Sequence, residues 1–300
     1  MRTGQQASRR RTAERLGVLA LLIFAALVSS TAAQESHSAR RAYLGFDEND
    51  YPGDAALPEL RKTFSFAGYW LNVPPGTSAK DAASLKPWLG RRAALAKLGF
   101  GFLVLFNGRW DRELKTVANA SILGASDARA AVTTAKREGF APGTVIFVDQ
   151  EEGGSLDAAQ MEYLMVWFDV VTAAGFRGGI YCSAMPANEG HGEFTITANY
   201  IRAHASHRNI LYFVYDDACP PAPGCAYARV PEPSESGVPF AVAWQFAQSP
   251  RRRQFTRACA ATYNHDGRCY PPGMGPGSPY VDLESATSPD PSGARASAEK

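Results

Sequence analysis

The feature that most constrains the fold is a weak repeat in which a helix end is followed by an apolar strand. The phrases LGF (98–100), EGF (138–140) and AGF (174–176) each place a glycine where a helix would end, and an apolar segment follows within a few residues. Successive copies lie about 40 residues apart, which is the size of one strand–helix unit. A chain built from such units forms a parallel sheet covered by helices.

Extending this pattern along the chain gives eight predicted strands. Most are continuously apolar rather than alternating, which is typical of strands buried on both faces. After the sixth strand the helical patterns fade, and proline-rich loops replace them. We therefore predict an α/β fold, a (β/α)₈ TIM-type barrel that is irregular in its last third. The predicted strands are 43–47, 65–72, 100–107, 144–151, 177–183, 210–217, 239–247 and 280–284.

The beginning of the chain has the pattern of a secretory signal peptide. An arginine-rich segment precedes the apolar run LGVLALLIFAALV (16–28), and small residues follow where a signal peptidase cuts. The run is short for a bilayer span, although an uncleaved N-terminal anchor is the alternative. We predict a signal peptide over 1–33, by either the Sec or the twin-arginine route. The protein is then secreted or held in the periplasm or cell envelope, with no stable membrane span after cleavage.

The remaining length suits a single barrel. The segment 287–300 has almost no apolar content, so we predict a disordered tail there. The folded domain then covers 42–286, close to the ~250 residues typical of a (β/α)₈ barrel. We expect a monomer.

The charge balance argues against a nucleic-acid partner. Five of the 31 basic residues and one of the 29 acidic residues lie in 1–33, so the formal net charge falls from +2 to −2 once that segment is removed. A nucleic-acid-binding domain usually has a clear basic excess. The local cluster SPRRRQF (249–255) is interpreted as a solvated loop.

The cysteines agree with export. The segments CPPAPGC and CAATYNHDGRC each place two cysteines around a loop rich in turn residues. In an oxidising compartment they predict two local disulfides, Cys219–Cys225 and Cys259–Cys269, because their spacings do not suit the rival four-ligand zinc site. Cys182 is left over, inside an apolar strand, and is predicted to be a buried free thiol.

Acidic residues are concentrated at the ends of the predicted strands. In (β/α)₈ barrels the active site lies at the carboxyl ends of the strands. Four of the eight predicted strands carry acids at or near that end, and the opposite ends carry none that is comparable. A single acid there is ordinarily a helix cap or a loop charge, but this asymmetry favours an acidic site. The acids include Asp47, Asp149, Glu151, Asp216 and Asp282.

The period of a strand separates the three acids in TVIFVDQEEGG (144–154). Asp149 and Glu151 share one face, whereas Glu152 lies on the other. Residues two apart on a strand stand ~7 Å apart, and carboxylate pairs at such distances carry out glycoside hydrolysis. Crowding and burial separate the pKa values of such a pair, which leaves one acid protonated. A metal site could use the same acids, but strand-end histidines are missing. We predict neither a metal nor another cofactor.

Further residues at the same rim are candidates for binding substrate. Aromatic rings can stack on sugar faces, although large aromatics also pack in cores, and we assign Trp70 to the core. The predicted substrate-binding residues are Asn107, Arg109, Tyr181, Asp216, Trp244 and Gln245.

Several motifs carry a resemblance to known families. The phrases GFDEND, VDQEE, GIYCS, AWQFAQ and VDLE resemble the barrel of glycoside hydrolase family 25 lysozymes. GYWLN, VIFVDQE and GGIYCS resemble the DUF1906 family of glycoside-hydrolase-like domains, and this second resemblance covers nearly all of 42–286. The lysozyme family implies an incomplete barrel that cleaves peptidoglycan.

The resemblance also implies roles for individual residues. Glu151 matches the glutamate of the lysozyme Asp-x-Glu motif, which is the general acid, and Asp149 matches its aspartate, which orients or polarises the reacting centre. Asp47 and Asp282 match the acids on the first and last strands. The segment after Asp47 lacks the usual Ser-x-x-Gln-Gly stretch, and the cysteine-containing loops have no lysozyme counterpart.

Three functions follow from these observations. The first is an exported glycoside hydrolase that acts on peptidoglycan or another cell-envelope polysaccharide. The second is a catalytically silent barrel that binds glycan or has a structural role in the envelope. The third is another hydrolase, such as an amidase or phosphodiesterase, that uses the same acids with a metal.

Overall fold

The structure, a computed structural model, describes residues 41–295 and contains a closed barrel of eight strands. The predicted signal peptide 1–33 lies outside the described residues. Around the barrel the strand order is β1-β10-β9-β8-β5-β4-β3-β2. All eight predicted strands are present, with bounds that differ from the prediction by at most two residues. They are β1 (Tyr43–Asp47), β2 (Phe66–Trp70), β3 (Gly101–Asn107), β4 (Val145–Gln150), β5 (Arg177–Ser183), β8 (Leu211–Tyr215), β9 (Ala241–Ala247) and β10 (Asp282–Ala286).

Helices cover the barrel mainly in its first two thirds. The two longest, α5 and α6, pack against each other. Helix α6 begins after Asp157, whose carboxylate accepts a hydrogen bond from the Gln160 backbone N–H while the Gln160 side chain bonds back to Asp157. Its buried face includes Trp167 and Phe168. The helices are α1 (Leu57–Thr63), α2 (Ala79–Ser84), α3 (Arg92–Leu98), α4 (Asp111–Leu114), α5 (Val117–Arg137), α6 (Ala158–Ala173) and α7 (Thr197–His204).

The last strand runs antiparallel to its neighbours, and it lies within the last third of the barrel, which the sequence predicts to be irregular. β10 pairs antiparallel with both β1 and β9, whereas the remaining neighbours in the barrel pair in parallel. Neither connection in this part contains an α-helix: the chain between β8 and β9 still crosses back to give a parallel pair, whereas the chain between β9 and β10, with only the 3₁₀ segment Arg257–Thr262, does not cross back. The chain therefore returns from the rim directly into β10.

A small hairpin follows β5 and was not predicted. Its strands β6 (Ala187–Gly190) and β7 (Glu193–Thr195) form a separate two-stranded sheet. Glu189 on this hairpin accepts a hydrogen bond from the Ser155 backbone N–H at 2.6 Å. The hairpin thus contacts the loop that follows β4.

Two disulfides join the loops of the last third, but their pairing differs from the prediction. The bonds are Cys219–Cys259 and Cys225–Cys269, with Cα–Cα distances of 5.5 and 5.4 Å. Each bond connects the loop after β8 with the loop after β9. Because these loops lie side by side, a cysteine in the neighbouring loop is as accessible as one in the same loop, and spacing alone could not choose the pairing. Cys182 is a buried free thiol, as predicted.

The segment 287–295 is folded, so the prediction of a disordered tail is wrong for these residues. Ser292 bonds to two strands of the barrel: the Val104 N–H in the middle of β3 donates to its Oγ at 2.8 Å, and the Val145 N–H at the beginning of β4 donates to its carbonyl at 2.9 Å. A side chain at Gly101 would lie 1.9 Å from the Pro289 carbonyl, so only glycine permits this approach. The prediction considered only the low apolar content of this segment. The segment is held instead by hydrogen bonds to the backbone of the barrel strands. The residues 296–300 lie outside the described part.

Within residues 41–295, none of the helices has the length and apolar character needed to cross a membrane.

Candidate active site

Four of the predicted acids line one narrow cavity at the rim of the barrel. Asp47 and Asp282 are paired in register between β1 and β10, and Asp149 lies in register with Tyr181 on β5. The cavity has a volume of about 50 Å³. Its walls are formed by Asp47, Asn49, Trp70, Asp149, Glu151, Tyr181, Phe213, Gln245, Gln248 and Asp282.

The reversed direction of β10 explains the place of Asp282. The sequence pattern predicts Asp282 near the carboxyl end of its strand, but Asp282 is the first residue of β10. An antiparallel strand brings its amino end to the rim where the parallel strands have their carboxyl ends. Asp282 also accepts a hydrogen bond from the Ser249 backbone N–H, which ties it to the loop after β9.

A glycine on β2 makes room for Asp47. A Cβ at Gly68 would lie 2.3 Å from the Cβ of Asp47 and 3.2 Å from a methyl carbon of Leu105. Any other residue at this position would displace the carboxylate. The absence of a side chain on β2 thus lets Asp47 reach the cavity.

The amide of Gln245 connects Asp47 and Asp282. The Tyr181 hydroxyl donates to Gln245 Oε1 at 2.6 Å, and Gln248 Nε2 donates to the same oxygen at 3.0 Å. Two donors on the oxygen orient the amide, so its Nε2 faces the acids, 3.3 Å from Asp282 and 3.5 Å from Asp47. Gln245 therefore supplies a neutral donor between two carboxyl groups.

Burial raises the pKa values of the acids around this cavity. Desolvation raises the pKa of Asp47 from 3.8 to about 6, and the nearby Glu151 charge adds to this, while hydrogen bonds from Glu284 and Gln245 oppose it. Burial also raises the pKa of Asp149 well above its usual value, with the charges of Glu151 and Asp47 next in importance. The pKa of Asp282 is raised well above its usual value by burial and by the charges of Asp47 and Glu48. The cluster therefore retains protons at a pH where exposed carboxylates have lost them.

Glu284 extends the cluster beneath the cavity. Its side chain is fully buried, and neither oxygen has a hydrogen-bond partner among the described residues when it is taken as a carboxylate. Burial, followed by the charge of Asp47, raises its pKa well above the usual value. A protonated Glu284 can donate to Asp47, so this pair holds one proton between two carboxyl groups.

Glu151 lies at the more open side of the cavity. Burial raises the pKa of Glu151, and the positive charge of Arg252 opposes this increase. The Tyr215 hydroxyl donates to the Glu151 backbone carbonyl at 2.6 Å. The side chain is half-buried, so it combines a raised pKa with access to a bound molecule.

A second, larger cavity meets the first at Asp149 and Glu151. Its volume is about 180 Å³, and it also shares Asn49 with the first cavity. The two cavities form a groove with the carboxylate pair at their junction. The larger cavity is lined by Asn49, Pro74, Pro75, Asn107, Gly108, Arg109, Trp110, Asp149, Gln150, Glu151 and Glu152.

Two predicted substrate-binding residues, Asn107 and Arg109, lie in the larger cavity and are held by neighbours. Asn107 donates from Nδ2 to the Asn72 carbonyl at 3.0 Å, and its backbone N–H donates to Asn72 Oδ1 at 2.8 Å. Arg109 forms a two-pronged ion pair with Asp127, at 2.7 and 3.0 Å. The positive charge of Arg109 is therefore balanced by Asp127. The remaining N–H groups of its guanidinium can donate hydrogen bonds to a ligand, but they add no net charge to the cavity.

Tyr181 and Gln245 lie in the acidic cavity, whereas Asp216 and Trp244 line neither of these two cavities. Trp244 is fully buried, and its Nε1 donates to the Asp216 carbonyl at 3.0 Å. It precedes Gln245 on β9 and therefore points away from the barrel interior. Asp216 accepts a hydrogen bond from the Ala218 N–H, and burial raises its pKa to about 7.

Glu152 differs from Glu151 as the strand period predicts. Its carboxylate accepts hydrogen bonds from Gln160 Nε2 at 2.7 Å, from the Asp111 N–H and from Gln150 Nε2. It borders the larger cavity, but these bonds commit it to holding the starts of α4 and α6. Trp70, assigned to the core, is buried and also lines the acidic cavity.

Arg252 and Gln248 also belong to the site, although the sequence patterns did not indicate them. The cluster 249–255 was interpreted as a solvated loop, which is wrong for Arg252, a half-buried residue next to the acids. Gln248 follows directly after β9, and Arg252 lies five residues beyond the end of that strand. Inspecting a few residues beyond each strand end, rather than the last residues of the strand, would have found them.

No group of three or more His, Cys, Asp or Glu residues within 41–295 is arranged to hold a metal ion.

Comparison with known proteins agrees with this fold. Residues 74–212 match the family described as Rv2525c-like, glycoside hydrolase-like domain, which confirms the predicted resemblance for that part of the chain. No curated protein matches the chain.

Solved structures with the same fold are distant in sequence. The Tat-secreted protein Rv2525c of Mycobacterium tuberculosis, in complex with L-tartrate, is 13% identical, with 83% of this chain and 96% of that chain covered and a TM-score of 0.50. An uncharacterized B. stearothermophilus protein is 17% identical, with 81% and 95% covered and a TM-score of 0.49. The modular autolysin LytC of Streptococcus pneumoniae is 13% identical, with 81% of this chain and 46% of that chain covered and a TM-score of 0.45. At these identities the likeness concerns the fold alone.

Proposed function

We propose that the protein is an exported glycoside hydrolase that cleaves glycosidic bonds of peptidoglycan or another cell-envelope polysaccharide. The observation that carries this proposal is the carboxylate pair Asp149 and Glu151 at the junction of the two cavities. The match of residues 74–212 to a glycoside hydrolase-like domain supports the reaction class.

Glu151 is the general acid in this proposal. Its raised pKa keeps the proton that must pass to the glycosidic oxygen as the C–O bond breaks, and its half-buried position leaves it open to a substrate in the groove. A water molecule then adds to the sugar carbon and returns a proton to the carboxyl pair. General acid catalysis of this kind contributes ~10²–10⁴-fold to a rate.

In this proposal Asp149, Asp47 and Asp282 orient and stabilise the reacting sugar from inside the acidic cavity. Asp149 Oδ1 is buried and has no hydrogen-bond partner among the described residues, so it is free to orient a substrate group or a water molecule. Asp47, whose pKa is raised only to about 6, is ionised at neutral pH and contributes negative potential to the same cavity, where the Gln245 amide links it to Asp282. Negative potential stabilises the positive charge that develops on the sugar ring.

Two features support export. The disulfides Cys219–Cys259 and Cys225–Cys269 are typical of proteins that fold in an oxidising compartment. The sequence pattern of 1–33 is that of a signal peptide. Comparing the mass of the exported protein with that of the full chain tests cleavage near Ala33.

A catalytically silent, glycan-binding barrel is the second candidate. The small volume of the acidic cavity, about 50 Å³, favours this second candidate. A sugar ring would have to lie across the opening of such a cavity rather than enter it. In this case the larger cavity would bind glycan without bond cleavage.

The deciding experiment is a product screen on a panel of polysaccharides that includes peptidoglycan. The wild type should release reducing ends from at least one substrate, and Glu151→Gln should reduce that rate by ~10²–10⁴-fold. Glu193→Gln, at an exposed position on β7, is the control and should keep full activity. An unfolding curve for each variant checks that the fold is intact.

Three results separate the candidates. A fully active Glu151→Gln variant would show that Glu151 is not the acid. Binding to purified peptidoglycan without product would favour the silent barrel. Loss of activity on addition of a chelator would indicate a metal-dependent hydrolase instead.

A further inference from the structure

Arg252 is a half-buried cation beside the acidic cavity. Its guanidinium carbon lies 5.5 Å from the centre of the Tyr215 ring. Within residues 41–295, no carboxylate lies within ion-pair distance of it, whereas Arg109, Arg208 and Arg229 each have such a partner. An arginine held near acids but not bonded to them acts on them through its charge and through the groups that it contacts.

Tyr215 connects Arg252 to the proposed general acid. The ring of Tyr215 lies against Arg252, and its hydroxyl donates to the Glu151 carbonyl at 2.6 Å. The same ring lies 5.3 Å from the ring of Tyr181. Displacing Arg252 would therefore free one face of the tyrosine that holds the Glu151 backbone.

The loop that carries Arg252 is anchored at several points. The Arg252 carbonyl accepts hydrogen bonds from the N–H and the hydroxyl of Thr256, at 3.1 and 3.0 Å, and Thr256 is fully buried. The Arg251 N–H donates to the Gly267 carbonyl at 2.6 Å. The disulfide Cys219–Cys259 joins this loop to the one after β8. The position of Arg252 is thus built into the fold.

Its two arginine neighbours have different surroundings. Arg251 donates to the Ala260 carbonyl at 3.0 Å and lies over the ring of Tyr263, whereas Arg253 is exposed. Of the three consecutive arginines, Arg252 is the one that acts on the acidic cavity. The titratable groups that face it from the surrounding strands and loops are Asp149, Glu151, Tyr181, Tyr215, Asp217 and Asp282.

We propose that Arg252 is a positioning residue of the site, which supports Glu151 through Tyr215 and opposes the negative charge of the acidic cavity. The catalytic part of this inference rests on the proposed hydrolase function. Its electrostatic part concerns Glu151 itself and can be measured whether or not the protein cleaves a glycan. Without a cation at this point, crowded and buried acids would bind protons too tightly to release them.

The first test is a titration of the Glu151 carboxyl by ¹³C NMR in the full chain. Arg252 lowers the pKa of Glu151, so Arg252→Gln should move the Glu151 titration to higher pH. Arg253→Gln removes an equal charge one residue away, in an exposed position, and should leave the titration unchanged. Arg252→Lys should restore much of the wild-type midpoint because it keeps the charge. Arg252→Met keeps the aliphatic stem and replaces the glutamine variant if that variant does not fold.

The second test uses the pH dependence of kcat on whichever substrate the screen identifies. Arg252→Gln should move the profile to higher pH, whereas Tyr215→Phe, which loses the hydroxyl that donates to Glu151 but keeps the ring beside Arg252, should lower kcat without moving the profile.

Two outcomes would overturn the proposal. The first is a Glu151 titration in Arg252→Gln that coincides with the wild type. The second is an equal shift in Arg253→Gln, since this would indicate a general effect of net charge. If the wild type releases no product, the hydrolase function fails while the NMR titration still decides the role of Arg252.

Discussion

The part of the barrel from β1 to β5 and the part from β8 to β10 hold their site residues by different means. In the first part, acids stand at the carboxyl ends of parallel strands, and helices cover the outside. In the second part, the described chain has no α-helix after β8, and two disulfides join the loops. Asp149 and Glu151 come from the first part, whereas Gln245, Arg252 and Asp282 come from the second.

Residues at one rim of a barrel can thus be held in place in two ways, by helices packed on the strands or by disulfides between the loops. A strand–helix unit fixes its strand end by burying apolar surface under the helix. A loop without a helix has too little apolar surface for this, so covalent links limit its freedom instead. Asp149 and Glu151 thus lie on the part from β1 to β5, which is stabilised by helices. Gln245 and Asp282, which line the same cavity, and Arg252, which lowers the pKa values of both acids, lie on the disulfide-linked part from β8 to β10.

Removing both disulfides should have the largest effect and should act mainly on the second part. The bonds span 40 and 44 residues, and loops of this size give about 4 kcal/mol of stabilisation each in the chain-entropy description. Replacing all four cysteines with serine should lower the free energy of unfolding by several kcal/mol, as measured by denaturant titration. Hydrogen exchange should increase first in 216–281.

The wild type in reducing agent is the matched control for that variant, since it should show the same loss. Faster exchange that begins in β2 to β5 instead would contradict the division of the barrel into two parts.

Truncating a core residue of the helix-covered part should have the next largest effect. Trp167 on α6 is fully buried and lies edge-on to Phe168. Trp167→Ala should reduce the free energy of unfolding by about 3–5 kcal/mol, because it removes a large apolar side chain and leaves a cavity. The measurement is again a denaturant titration, and Ile122→Ala, whose side chain is 68% exposed on α5, should change stability by less than about 0.5 kcal/mol.

Neutralising Glu284 should have a smaller effect with the opposite sign. Its pKa is raised in the folded protein, so the stability linked to it is fully present below its unfolded pKa, usually 4.5, and is lost as the pH rises toward the folded value. Glu284→Gln keeps a donor for Asp47 without the ionisation. The variant should match the wild type near pH 4 and exceed its stability at pH 7.

Thermal unfolding at several pH values measures that difference, and Glu193→Gln, an exposed substitution, should follow the wild type throughout. A Glu284→Gln variant that is less stable than the wild type at pH 7 would show that the proton shared with Asp47 does not form as described.

The barrel could be predicted from the sequence because most of its strands are continuous runs of apolar residues. Buried strands leave such a pattern whatever their neighbours, so β1 and β5 were placed with the observed bounds. The period of two also separated Glu151 from Glu152, because side chains alternate along a strand. The same rule, applied to Trp244 and Gln245, would have excluded one of them from the site.

Strand direction, loop proximity and long-range charge were not predictable in this way. An apolar run reads the same for either direction, and a missing helix does not decide it, because β9 also lacks a preceding α-helix yet pairs in parallel with β8. The pairing of Cys219 with Cys259 depends on two loops lying side by side, which no local pattern records. Arg252 affects Glu151 through the assembled barrel, whereas in sequence the two are about a hundred residues apart.

The segment 287–295 affects the order in which the protein can be completed. A ribosome makes β3 and β4 early, yet the N–H groups of Val104 and Val145 find their partners in Ser292, which is made more than a hundred residues later. During synthesis these strands therefore lack part of their final hydrogen bonding. A nascent chain that ends before residue 292 therefore lacks these two hydrogen bonds on β3 and β4, even when all eight strands of the barrel have been made.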